Sequence, residues 1–146
     1  TFMNEWTPQV LLIAQLASTL PLIGLIWIIQ RVHYPLFSEV GEKNFVDYQL
    51  KHMNRIGPVV GPLMLVEALS AVGLVMLMPA DPWALGGLGL VILIWGSTAV
   101  VQIPCHRTLT HGFQEKAYRR LVSSNWIRTT AWTARGVIAV VMLEGA

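Results

Sequence analysis

Glu67, in LMLVEALSA, and Arg135, in TAWTARGVIAV, are ionisable residues set inside apolar runs. An unpaired charge at the centre of a bilayer costs at least about 2.5–3.5 kcal/mol on insertion scales, so each calls for a partner. Glu67 lies 11 residues after Ile56, about 16 Å along a helix. Arg135 lies 8 residues before Leu143, about 12 Å from that boundary and so about 18 Å from the opposite one across roughly 30 Å of hydrocarbon. The depths agree, and the two side chains are predicted to meet, either as part of a functional site or as an ion pair that fixes helix register. Arg135 also closes a stripe, Asn125, Arg128, Trp132 and Arg135, whose 3-4-3 spacing places it on one helix face. Ile127, Ala131, Ala134, Ile138 and Val141 cover much of the rest. Arg128, the shallower arginine, is placed to meet an anionic head group or substrate, and Trp132 offers a flat face for stacking or a cation–π contact, or else fills core space.

The second constellation is His33, His52, His106 and His111. Each lies beside the end of an apolar run, on what charge marks as one side of the molecule. Convergence of the four would suit zinc, copper, non-haem iron or a haem, since neutral imidazole binds all of these; separately, each serves as an interfacial hydrogen-bonding group. No HExxH and no Glu-x-x-His pair is present. Cys105 is the only cysteine, which excludes an internal disulfide and a CxxC motif. No phosphate loop or Ser-His-Asp order points to nucleotide or acyl chemistry.

These residues need a membrane scaffold. The chain has 146 residues, 54% hydrophobic and 12% charged, with mean hydropathy +0.56, too apolar for an ordinary soluble domain. Four runs reach the length of a span: Val10–Ile29, Ile56–Met78, Leu85–Ile103 and Trp126–Leu143. Unbroken runs argue against a β-barrel, and the first run lacks the basic flank of a signal peptide. The expected fold is an all-α integral membrane protein, residues 1–146 forming a single antiparallel four-helix bundle. All ten Lys and Arg residues fall between spans one and two, or between the end of span three and the middle of span four. Residues 1–9, the link 79–84 and the tail after Leu143 carry Glu5, Asp81 and Glu144 but no base. The positive-inside rule then puts both termini outside and the basic loops in the cytoplasm, in a bacterial-type inner membrane. The basic face meets anionic lipid; no nucleic-acid module is present.

Val46, Leu50 and Met53 alternate with Asp47, Lys51 and Arg55 at helical spacing, predicting an amphipathic interfacial helix from about Asn44 that runs into span two at Pro58. A turn at Gly112 should precede a helix from near Gln114 into span four. Gly57 and Gly61 form a GxxxG, and Gly86, Gly87 and Gly89 cluster on span three, which predicts close packing within the bundle or between copies. Trp6 and Trp83 mark the outer interface; Trp27, Tyr34, Tyr118 and Trp126 mark the inner one.

The segment QIPCHRTL, followed by SSNWIRTTAW, resembles small four-helix bacterial membrane proteins grouped with the anthrone oxygenases, through Pro104, Arg107, Leu109, Asn125, Arg128 and Thr129. The resemblance covers about the C-terminal third and implies a cofactor-independent oxygenase acting on aromatic polyketide-like substrates. Two readings follow. One is a polar intramembrane site open to the cytoplasm, Glu67, Arg128, Trp132, Arg135 and Asn125 with the histidines at its mouth, in an oxygenase-like oxidoreductase. The other is a non-catalytic accessory subunit of a larger membrane complex or a homo-oligomer, binding pigment, haem or lipid.

Overall fold

The computed structural model describes the backbone of residues 3–145 and the side chains of residues 8–145. Trp6, expected at an interface, lies outside the described side chains. Every regular element among the described residues is helical. Helix α1 (Met3–Ile28) passes through a π turn (Ile29–His33) and a 3-10 turn (Pro35–Glu39) into α2 (Glu42–Leu77). Helix α3 (Pro82–Ser97) continues through a second π turn (Thr98–Gln102) into the short α4 (Ile103–Leu109), and α5 (Glu115–Glu144) closes the chain. Three helical stretches, Pro8–Glu39, Glu42–Leu77 and Pro82–Leu109, are long and apolar enough to cross a membrane. Helix α5 is not among these stretches; its 30 residues include Arg119, Arg120, Arg128 and Arg135.

The amphipathic segment and the second run form one 36-residue helix, with Pro58 and Pro62 inside it, starting two residues before the expected Asn44. The link to α3 is capped by Asp81, whose carboxylate accepts from Ala84 N at 2.8 Å, with Pro82 in the first turn. Gly112 has φ +137, and α5 follows within three residues; only glycine adopts that angle without strain.

Around the bundle the order is α1, α2, α3, α5, with α5 returning beside α1. Leu69, Met76, Ile92, Val100 and Val137 face outwards. One buried apolar cluster, containing Leu22, Ile26, Phe37, Phe45, Ile94 and Leu121, fills the end that carries His33, His52 and His106. A smaller cluster, Leu12, Leu74, Ala84 and Met142, fills the other end. Between them lies a polar layer containing Glu67 and Arg135.

The expected packing role for the Gly57–Gly61 pair within the bundle is corrected. A Cβ at either position would meet nothing within 4 Å, and neither does Gly89 support a close approach. Helices α1 and α5 instead close at Gly136, where a Cβ would collide with Ile23 Cδ1, and Gly87 faces Arg135 and Ile138 of α5. Small residues allow close packing only where another helix stands opposite them.

Candidate functional site

The polar layer joins all four long helices through Glu67. One carboxylate oxygen accepts from Thr19 Oγ1 of α1 at 2.9 Å and from Arg135 Nε of α5 at 2.8 Å; the other accepts from Trp132 Nε1 at 3.0 Å. Arg135 Nη1 donates to the carbonyl of Gly87 on α3. Glu67 is 0% and Arg135 1% exposed, so the pair inferred from equal depth is in direct contact. Among the described residues, Nη2 of Arg135 has no partner. With both oxygens occupied by the protein, Glu67 acts as the junction of the bundle, and neither it nor Arg135 lines the cavity beside Trp132.

Trp132 connects this junction to a site nearer the histidine end. Its indole N–H is held by Glu67, while the residue lines a cavity of about 320 Å³. Leu22, Ile26, Val60 and Met64 supply apolar walls; Tyr34, His52, Thr98, Gln102, His106 and Arg128 supply the polar end. Both π turns serve this end: one leads directly into Tyr34, and the other carries Thr98 and Gln102. An extra residue in a helical turn re-aims the side chains around it, and such turns are frequent at functional sites.

Arg128 is 7% exposed. Nε donates to Asn125 Oδ1 at 2.9 Å, Nη1 to Thr98 Oγ1 at 3.3 Å and Nη2 to Tyr34 Oη at 3.4 Å; Nη2 also meets Asn125 Oδ1. Its guanidinium carbon stands 5.9 Å from the Trp132 ring centroid. Asn125 is itself fixed by donating to Gln30 Oε1 at 2.8 Å, and Gln30 donates to the Val122 carbonyl at 3.1 Å. The partners are neutral. Among the described residues no carboxylate pairs with Arg128, and none lines the cavity.

Three of the four histidines come together. His33 Nε2 and His52 Nδ1 are 2.8 Å apart, and the His52 and His106 rings are 5.3 Å apart. Phe37, 0% exposed, packs edge-on against His33 and His52. His111 stays apart, exposed, against the Arg107 carbonyl. Among the described residues no three His, Cys, Asp or Glu side chains are grouped so as to hold a metal ion.

Gln49 Nε2 donates to His106 Nδ1 at 2.7 Å and towards the His106 carbonyl at 3.5 Å. Nδ1 therefore accepts, Nε2 carries the proton, and it donates to Tyr34 Oη at 2.9 Å. The phenol oxygen receives bonds from His106 and Arg128, which leaves its own proton without an acceptor among the described residues. This end of the cavity thus presents donors from Arg128 and Tyr34.

Tyr34, expected from the sequence to mark the inner interface, is 2% exposed and lines the cavity. Sequence reading missed Gln30, Gln49, Thr98 and Gln102. Gln30 and Gln102 each end an apolar run, in WIIQRVH and AVVQIPC, and that isolated polarity is the signal that was available. No family model, curated protein or solved structure matches the chain.

Proposed function

We propose that this chain is a four-span membrane protein that binds a lipid-soluble molecule through an oxygen-bearing, anionic or enolisable head. In this reading α5 is the fourth span, the basic loops face the cytoplasm, and the histidine end lies at the inner side of a bacterial-type inner membrane. The observation that carries it is Arg128: a buried guanidinium at an apolar cavity, without a carboxylate partner among the described residues. A buried cation with only neutral partners remains under-compensated, and an oxyanion beside it completes the site. Tyr34 adds a second donor.

An oxygenase-type reaction is the chemical extension of this reading, favoured by the His52 imidazole at the same cavity. His52 takes a proton from a methylene next to an aromatic carbonyl, and Arg128 and Tyr34 hold the resulting enolate oxygen. Dioxygen adds at the carbanionic carbon and the peroxide O–O bond then breaks. The carbon loses two hydrogens and gains one oxygen as a new C=O, and the second oxygen leaves as water, so R2CH2 + O2 gives R2CO + H2O without another reductant.

The test is titration of the protein in phosphatidylcholine nanodiscs with oleate and with oleyl alcohol. Saturable binding of oleate, at least about tenfold tighter than the alcohol, is expected. Equal affinity, or no saturation, removes the head-group reading. One-for-one oxygen uptake and ketone formation from anthrone, lost in His52→Gln, tests the oxidative step; oleate binding without turnover leaves an accessory lipid-binding role.

A further inference from the structure

We infer that the ligand reaches this cavity sideways from the lipid, through a gap between α2 and the Thr98–Ile103 segment, and that Gly57 and Gly61 select its tail. The inference rests on the ligand-binding reading above. Gly57 and Gly61 both line the cavity, yet both are also exposed on the outside of the bundle. Ile103, on the other side of the gap, lines the cavity and is 40% exposed. Helix α2 packs against α3 and reaches α4, but is scarcely in contact with the π turn between them. The cavity therefore communicates with the side of the bundle as well as with its histidine end.

The two glycines are four residues apart, one turn along one helix face. Space above both is open: an added Cβ would touch nothing within 4 Å. Helix packing within the chain does not explain them, whereas a passage does, because a larger side chain at either position would project into open space beside the cavity. Arg128 and Tyr34, both more than nine-tenths buried, fix the head at the inner end. A head held there and a tail leaving between Gly57 and Ile103 describe a single-tailed amphiphile with an oxyanion head, such as a long-chain carboxylate. A short carboxylate uses the same head contacts without needing the gap.

The experiment measures displacement of a fluorescent long-chain carboxylate from nanodisc-embedded protein by oleate and by hexanoate. It compares wild type, Gly57→Leu/Gly61→Leu and Arg128→Gln. The glycine variant should bind oleate at least about tenfold more weakly, from lost tail contacts, with hexanoate nearly unchanged. Arg128→Gln should weaken both. If the glycine variant binds oleate as wild type does, or loses oleate and hexanoate equally, side entry is overturned. If Arg128→Gln leaves both affinities unchanged, the ligand-binding reading itself fails. Gly57→Ala/Gly61→Ala, which adds only methyl groups in open space, should keep the wild-type melting temperature and report on folding independently.

Discussion

Glu67→Ala should nearly abolish recovery of folded protein. The substitution leaves Arg135, 1% exposed, as a buried cation without its carboxylate, and breaking a buried pair from one side costs about 3–5 kcal/mol. It also strips the acceptor from Thr19 Oγ1 and Trp132 Nε1, at about 1–3 kcal/mol for each buried group left unsatisfied. A whole domain has only about 5–15 kcal/mol of stability. The double variant Glu67→Leu/Arg135→Leu should be milder than Glu67→Ala, because it removes both charges and substitutes apolar volume. Folded yield and melting temperature in mild detergent check this non-additivity; equal behaviour of the single and double variants would contradict it.

Arg128→Gln should do the reverse, sparing the fold and removing the site. Its partners Asn125, Thr98 and Tyr34 are neutral, so loss of the cation strands no buried anion. Each charge-assisted hydrogen bond to a ligand oxyanion is worth about 1.5–3 kcal/mol, and oleate affinity should fall by about 10- to 100-fold. Arg128→Lys should recover only part of that loss, because a point charge cannot keep the fork that meets Asn125, Thr98 and Tyr34 together. Asn125→Ala, which frees Arg128 to swing, should weaken oleate binding by an intermediate factor without changing the charge. Parallel titrations of the three variants, with melting curves, separate positioning from charge.

The contrast between Glu67 and Arg128 shows what the sequence disclosed and what it withheld. An acid and a base embedded at equal depth in apolar runs have few physical solutions, so their pairing was legible before any coordinates. Regular spacing also disclosed the long helices and the Asn125–Arg135 stripe, since helical periodicity alone places those residues on one face. The cavity was not legible, because it depends on what fails to stand opposite Gly57 and Gly61, and a GxxxG pattern reads the same with or without a facing helix. The π turns at Ile29–His33 and Thr98–Gln102 had no pattern to announce them, yet they decide that Tyr34 and Gln102 point into the bundle. His111 lies beyond the end of α4, in the turn that follows Leu109, where its ring is exposed against the Arg107 carbonyl, away from the other three imidazoles. Glu67 and Arg135 were expected to share a site with Arg128, but Trp132 stands between them and the cavity that Arg128 lines.

The most direct test of an oxyanion head at Arg128 is carbon-13 NMR of carboxyl-labelled oleate in nanodiscs containing the protein. Wild type should give a second carboxylate resonance, distinct from that of oleate in the lipid, and Arg128→Gln should lose it while keeping the wild-type melting curve. A single lipid resonance in both samples, or the same second resonance in both, would contradict the account.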